Sequence, residues 1–225
     1  MANVSVILPC LNEAESIGSC IEKIQAIFVQ NGIDGEIVVV DNGSTDTSAA
    51  IAQQFQITYV QEPRRGYGRA YLAGFKRAAG KFLVLGDPDG SYDFREIPKF
   101  LAHLTKYDVV LGSRFKGRME KNAMPFLHRY VGNPALRFLM FVLCGLKVSE
   151  PSTGFLAIRR DKLILLDLKE PGMEFSSEML VRIKQKRLSL KEIPIVYHQR
   201  IGTSKLRTFR DGFRHLRFLA IESFK

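Results

Sequence analysis

Three aspartates follow an apolar run in LVLGDPDGSYDF, Leu83–Phe94, at positions 87, 89 and 93. Asp87 and Asp89, one residue apart, repel each other, so they require bulk water, a following helix to cap, or a cation between them. Two more polar clusters have the same form: PCLNE at Pro9–Glu13 and DNGSTD at Asp41–Asp46. Read alone, DNGSTD is a strand-to-helix turn in which Gly43 takes a positive φ and Ser44 or Asp46 caps the helix. Asp41 could equally accept hydrogen bonds from a nucleobase or a ribose. The D-x-D pair suits Mg²⁺ or Mn²⁺ bridging a diphosphate, because such ions take hard carboxylate oxygens together with substrate phosphates.

What precedes each cluster gives it a place. Val4–Leu8, Glu36–Asp41 and Phe82–Leu85 read as strands, with Ile57–Val60 and Asp108–Gly112 as two more. Between them lie helical periods: Asn12 and Glu15 read as a capping box for a helix burying Ile17, Ile21, Ile24 and Phe28, followed by helices at Ser44–Phe55, Gly68–Ala79 and Phe94–Leu104. This alternation predicts a parallel sheet with helices on both faces, which binds ligands at the carboxyl ends of its strands. Three acidic strand ends in such a sheet converge on one edge, and a cation becomes the stronger reading. The second half is less regular, with a helix around Pro125–Leu143, a strand near Phe155–Arg159, a helix at Phe175–Lys186, a strand at Glu192–Tyr197 and a basic terminal helix.

Charge narrows the partners. The formal net charge is +10, and from Val181 to Lys225 twelve Lys and Arg face three acids. Such a surplus expects nucleic acid, acidic lipid or a phosphorylated substrate. Cys10, Cys20 and Cys144 show no C-x-x-C spacing, which argues against a zinc or disulfide framework and for a reducing compartment. The first residues, leading into VSVILP, do not have the pattern of a signal peptide. The longest apolar run, Phe138–Leu146, is far short of the roughly 20 residues that span a bilayer. RRGYGRA, Arg64–Ala70, lacks the third glycine of a dinucleotide fingerprint, Tyr71 standing in its place; a glycine-rich turn with Arg65 and Gly66 at a helix start suits either a diphosphate or plain solvent. His128 and His198 lack metal-ligand spacing and read as structural, and Glu174 and Glu178 read as helix-start acids, with contact to a sugar as the lesser alternative.

The ordered series PCLNE, VVDNGSTD, RGYGRA, GDPDGSYDF, VLGSRF, STGF and RIGTSK, which runs through essentially the whole chain, resembles glycosyltransferase family two, the GT-A nucleotide-sugar enzymes. More narrowly it is similar to the branch that loads a sugar onto polyprenyl phosphate, as dolichyl-phosphate mannose and glucose synthases do. The resemblance implies an α/β fold of GT-A type, with a Rossmann-like, mostly parallel central sheet over residues 1–206 and a basic amphipathic helix over 207–225. It implies inverting, metal-dependent transfer of a hexose from a UDP-glucose or GDP-mannose type of donor. Carried onto this chain, Pro9, Leu11, Glu13, Asp41, Asn42, Arg65, Gly66 and Asp87 would bind the nucleotide sugar, and Asp87 and Asp89 the Mg²⁺ or Mn²⁺ ion. Asp89 and Arg114 would be the catalytic pair, with Arg114, Arg129, Arg200 and Lys205 on the acceptor phosphate. The chain departs from the family pattern at Asn42, where a second Asp is common, and at Glu150 in EPSTGF, where Asp is common.

A phosphate-monoester acceptor has a second pKa of about 6 and is largely a dianion at neutral pH, so it needs no general base. The alternative, a family-two transferase acting on a saccharide hydroxyl, needs one, and Glu150 is its candidate. A non-enzymatic basic module for membrane or nucleic acid explains the charged tail but leaves three acidic strand ends idle, and no aromatic stacking pattern typical of single-strand binders interleaves the basic residues. The expected partners are therefore a nucleotide sugar, a polyprenyl phosphate and an anionic membrane surface, without nucleic acid. In TFRDGFRHLRFLAIESF, Phe209, Phe213, Leu216 and Ala220 recur at helical spacing among Arg207, Arg210, Arg214 and Arg217. This helix, with the apolar Phe138–Leu146 face, is expected to seat the protein on the cytoplasmic face of the membrane, either alone or ahead of membrane-spanning helices beyond Lys225.

Overall fold

Along Val4–Cys10 (β1), Val4, Val6 and Leu8 pack into one apolar layer and Ile7 into another; along Gly35–Asp41 (β2), Ile37 and Val39 join the first layer, Val38 and Val40 the second. A strand covered on both faces has to be apolar at every position, which is why these runs read as continuous. The computed structural model describes residues 2–206 and 208–223, so Arg207, Phe224 and Lys225 of the expected terminal helix lie outside the described residues. The remaining strands are Thr58–Gln61 (β3), Phe82–Leu85 (β4), Val109–Met119 (β5), Leu156–Arg159 (β6) and Leu190–Tyr197 (β7). The helices are Ile17–Gln30 (α1), Ser48–Ala52 (α2), Tyr67–Arg77 (α3), Ile97–His103 (α4), Asn133–Cys144 (α5), Arg160–Ile164 (α6), Phe175–Gln185 (α7) and Thr208–Ser223 (α8).

These strands form one sheet in the order β3-β2-β1-β4-β6-β5-β7. Pairs β1–β2, β2–β3, β1–β4 and β5–β7 are parallel, while β6 runs antiparallel to both β4 and β5. The expected mostly parallel α/β sheet is therefore present. Because β2, β1 and β4 are neighbours and parallel, their three acidic ends lie side by side at one edge. At about 1.5–3 kcal/mol per fully buried aliphatic side chain, the double core holds that edge rigidly.

Several local expectations change. Ser16, not Asn12, precedes the first turn of α1, and no side-chain cap forms there. Asn12 instead takes a left-handed φ of 54° and accepts a hydrogen bond from Thr45 N at 2.7 Å, tying the first turn to the second. The helix expected over Ser44–Phe55 shrinks to α2, since Ser44 and Asp46 are used in that tie. β5 runs on to Met119, with an irregularity between Ser113 and Arg118 where it meets β7. The helix expected from Pro125 opens as a π-type turn at His128–Gly132 before α5.

The described part of the expected terminal helix is α8, which packs against α5 and α7 through Asp211, His215, Phe218, Leu219 and Glu222. The apolar stripe read from the sequence faces outward: Phe209 is 88% exposed, Phe213 66% and Leu216 43%.

Candidate active site

The first two turns are laced together. Asn12 N donates to Ser44 Oγ at 3.0 Å, Glu13 N to Ser48 Oγ at 2.8 Å and Ala14 N to Asp46 Oδ2 at 3.2 Å. Asp41 is buried and accepts from Ser44 N at 3.2 Å, and burial together with Asp41 raises the phenol pKa of nearby Tyr59. Asn42 is spent on backbone: its amide donates to Glu62 O and Arg64 O, both at 3.0 Å, and its Oδ1 accepts from Gly66 N at 2.7 Å. It fixes the turn that carries Arg64 and Arg65 and has both amide N–H donors committed there.

The start of α3 is likewise occupied. Gly68 N and Arg69 N donate to Gly172 O and Pro171 O, each at 3.2 Å, in addition to the Gly66 N bond to Asn42. Of the two readings of this helix start, diphosphate or plain solvent, neither finds these three N–H groups free, since each is already paired within the fold. Arg65 reaches Gly43 O at 3.3 Å from an exposed position, with its charge facing the turn after β2.

The three aspartates that end β4 divide the work. Asp93 accepts from Arg95 N at 3.0 Å and caps the short turn at Phe94–Glu96. Asp89, 7% exposed, accepts on Oδ1 from Ser91 N at 3.0 Å and Ser91 Oγ at 2.5 Å, so its Oδ2 faces outward to Arg200 at 3.4 Å. Asp87 accepts on Oδ1 from Tyr67 OH at 3.0 Å and Tyr71 OH at 3.5 Å. Burial, and then the charge of Asp89, push its carboxyl up to about 7. Its Oδ2 has no hydrogen-bond partner among the described residues and lies beside Gly154, where a Cβ would collide with it. The aspartates that do not serve as a cap thus each offer one oriented oxygen to a cation.

No group of three or more His, Cys, Asp and Glu gathers as a metal cage among the described residues. The donor set still fits Mg²⁺ or Mn²⁺, which are held by one or two carboxylates and complete their shell with substrate phosphates and water.

A basic turn folds over these acids. Arg200 Nη2 donates to Glu13 Oε1 at 3.0 Å, and Lys205 Nζ donates to Asn12 O at 2.7 Å and stands 3.4 Å from Glu13 Oε1. Burial raises the pKa of Glu13 above the usual carboxylate range, with Arg200 and Lys205 opposing that shift. Arg114, at the opposite side, is buried and holds an ion pair with the fully buried Glu150. Its backbone N donates to Glu150 Oε2 at 2.6 Å, its Nε to Glu150 Oε1, and its Nη2 to Ser152 O and Oγ at 3.2 Å. The guanidinium also lies 4.7 Å from the centroid of the Tyr197 ring. Burial opposes its charge, but Glu150 and the neighbouring tyrosines more than offset this and raise its pKa. Only Nη1 has no hydrogen-bond partner among the described residues. Arg129 sits in the half-exposed turn before α5, 5.3 Å from the Tyr130 ring, and shares no described contact with the carboxylates. Pro9 and Leu11 line the end of β1, both half-buried.

The structure thus brings Glu13, Asp89, Arg200 and Lys205 together and sets Asp87 beside them. It also supplies residues that the sequence reading passed over. Tyr67 and Tyr71, at i and i+4 on α3, orient Asp87, and Ser91 orients Asp89. Ser152, bonded to Asn133 Oδ1, supports Arg114. The tyrosine spacing was visible in RGYGRAYL, but nothing in the sequence placed it opposite Asp87.

The model of Glycosyl transferase family 2 matches residues 5–165. The low-salt glycan biosynthesis hexosyltransferase Agl6 of Haloferax volcanii is 40% identical over 222 residues, 98% of this chain and 54% of that protein, so the chain spans about half its length. The dolichyl-phosphate hexose transferase of the same organism is 33% identical over 213 residues, covering 93% of this chain and 89% of that one. Glucosyl-3-phosphoglycerate synthase from Mycobacterium tuberculosis, solved with Mn²⁺, UDP-glucose and phosphoglyceric acid, superposes with a TM-score of 0.75 at 22% identity over 99% of this chain and 80% of that chain. At that identity the likeness is one of fold.

Proposed function

The chain belongs to glycosyl transferase family 2, and from that premise we propose that it moves a hexose from a nucleoside diphosphate sugar to a polyprenyl phosphate, with inversion at the anomeric carbon. One observation carries the choice of acceptor. Glu150, the candidate base for a hydroxyl acceptor, is 0% exposed and has both oxygens committed to Arg114. A hydroxyl would find no base there, whereas a phosphate dianion needs none. The relative named as a dolichyl-phosphate hexose transferase supports the same reading.

In this reading an acceptor phosphate oxygen forms a bond to the anomeric carbon as the bond to the donor diphosphate breaks on the opposite face. The nucleoside diphosphate departs, and no proton changes hands. Arg114, fixed by Glu150, Ser152 and Tyr197, offers Nη1 to the acceptor phosphate, while Arg129 adds positive charge from the turn before α5. Asp41 and Glu13 receive the nucleoside, with Pro9 and Leu11 forming the floor. Asp87 and Asp89 are the residues that would hold a divalent ion, whose charge would stabilise the leaving diphosphate; the Mycobacterium neighbour was solved with Mn²⁺ and UDP-glucose.

The acceptor's tail implies a bilayer. Among the described residues no helix is long and apolar enough to cross a membrane. Exposed Phe209, Phe213 and Leu216 on α8, together with exposed Phe138, Phe141 and Val142 on α5, support docking on an anionic membrane surface. The test is incubation with a polyprenyl phosphate, Mn²⁺ or Mg²⁺ and a panel of UDP- and GDP-sugars, followed by mass spectrometry of the lipid. A glycosylated lipid phosphate is expected. Transfer to saccharide hydroxyls with none to the lipid phosphate would overturn the assignment.

A further inference from the structure

Arg200 is built into the site in an unusual way. Its backbone is bolted to the aspartate loop: Ile201 N donates to Asp89 O at 2.7 Å and His198 N to Ser91 O at 2.9 Å. Ile201 also covers Gly90, whose φ is +78° and where a Cβ would stand 3.0 Å from Ile201 Cδ1. From this fixed point the guanidinium spans two carboxylates, with Nη2 at 3.0 Å from Glu13 Oε1 and Nη1 at 3.4 Å from Asp89 Oδ2. Its Nε is buried and has no hydrogen-bond partner among the described residues. A buried N–H without an acceptor is costly and points to a ligand oxygen that the protein itself does not supply.

We propose that Arg200 is the resident counter-ion of Asp89: it holds the oxygen that a divalent ion needs, and gives it up when a nucleoside diphosphate arrives with the metal. This rests on the reading of Asp87 and Asp89 as metal ligands. A guanidinium and a divalent ion compete for one carboxylate oxygen, so the metal alone has to displace a tethered cation that is always present. A diphosphate removes that penalty by offering Arg200 a second anion. The side chain is 27% exposed and its backbone is pinned, so a rotation about its own bonds suffices. The same guanidinium then faces phosphate oxygens, with Nε satisfied. Metal and nucleotide therefore bind cooperatively, and the cooperativity lives in one side chain.

Direct Mn²⁺ titration followed by the electron paramagnetic resonance signal of the free ion reads this without turnover. Wild type, Arg200→Gln and Arg200→Lys are compared without nucleotide and with saturating UDP or GDP. Without nucleotide, Arg200→Gln binds Mn²⁺ about tenfold more tightly than wild type. Nucleotide tightens Mn²⁺ binding strongly in wild type and by about tenfold less in Arg200→Gln. Arg200→Lys, which keeps the charge, stays near wild type in the first comparison, and thermal melts show that all three are folded. Unchanged or weaker Mn²⁺ binding by Arg200→Gln without nucleotide overturns the counter-ion role. If wild type binds no Mn²⁺ in either condition, the metal assignment falls first and the inference with it.

Discussion

Replacing Glu150 with Gln separates its two possible roles. Glu150 is 0% exposed and the Arg114 side chain 8% exposed, so removing one charge leaves the other buried without its partner. Breaking a buried pair costs about 3–5 kcal/mol, and at roughly 2–4 °C per kcal/mol for a chain of this size the melting temperature drops by about 6–20 °C. The amide group of Gln also places N–H donors against Arg114 Nε or N, which have bonded to carboxylate oxygens. Arg114 loses its fixed orientation, and kcat/KM for lipid phosphate falls by about 10²-fold, as expected for a misplaced phosphate-binding group. Donor affinity by calorimetry stays within a factor of a few, and the pH–rate profile keeps its shape. If instead Glu150→Gln melts like wild type and removes the acidic limb of the pH–rate profile at unchanged acceptor KM, Glu150 is a base and the phosphate-acceptor argument fails.

Other perturbations have sharper single readouts. Asp89→Ala should abolish transfer and Mn²⁺ binding while preserving the far-UV spectrum, because it removes the bonds to Ser91 but no core packing; normal turnover with added Mn²⁺ would refute its role. Tyr67→Phe removes the donor that orients Asp87 and should weaken Mn²⁺–nucleotide binding several-fold, whereas unaltered binding would show that Tyr71 alone suffices. His215, on the buried face of α8, has a pKa lowered by burial, with Glu174 and Asp211 opposing and Arg214 adding to the shift. A histidine kept neutral in the fold contributes stability above its unfolded value near 6.5 and loses it as pH falls below that. The melting temperature should therefore drop between pH 7 and 5.5, and less so in His215→Gln; parallel curves would exclude His215 as the source. Liposome flotation should need anionic lipid and weaken with salt, and Arg210→Glu with Arg217→Glu should reduce it; equal flotation would assign the outer face of α8 to another partner. Arg214 is left intact in that variant because it pairs with Glu174 at 3.0 Å.

The sheet was legible because β1, β2 and β4 are buried on both faces and write that fact into unbroken apolar runs. The convergence of PCLNE, DNGSTD and GDPDGSYD followed from parallel strands alone. The direction of β6 was not legible, since LAIR is apolar either way and only the course of the chain through α5 sets its sense. The internal bonds of Asn42 and of the start of α3 were not legible for a related reason. Free N–H groups and amides look available in a sequence, and only the folded loops show where they are used: the Asn42 amide on Glu62 O and Arg64 O, and Gly68 N and Arg69 N on Gly172 O and Pro171 O, far along the chain. The helical period of α8 was clear, but the mixed make-up of its buried side was not, where Glu174, Ser177 and Arg182 of the neighbouring segment supply partners for Arg214, His215 and Glu222 beside buried Phe218 and Leu219.

The basic surplus of the last fifth of the chain takes on a different meaning once it is folded. Arg182 is spent on Glu222, Arg214 on Glu174, Lys184 on the carbonyl of Cys144, and Arg200 and Lys205 on Glu13 and its neighbours. Much of what looks like a patch for an outside anion is internal pairing, partly within the packing of α7 and α8 and partly over the site carboxylates. Exposed Arg210 and Arg217 remain beside exposed Phe209, Phe213 and Leu216, a mixture of charge and apolar surface that suits a headgroup layer better than a nucleic-acid backbone. The two uses are linked by α8 itself. Its inner face holds Glu174, whose carboxylate accepts from Gly172 N at 3.2 Å; the loop around Gly172 closes on the start of α3, and α3 presents Tyr67 to Asp87. The helix whose outer face is proposed to rest on a membrane thus also buttresses, through Glu174 and the start of α3, the carboxylate proposed as a metal ligand, so a change in its packing should be felt at Asp87.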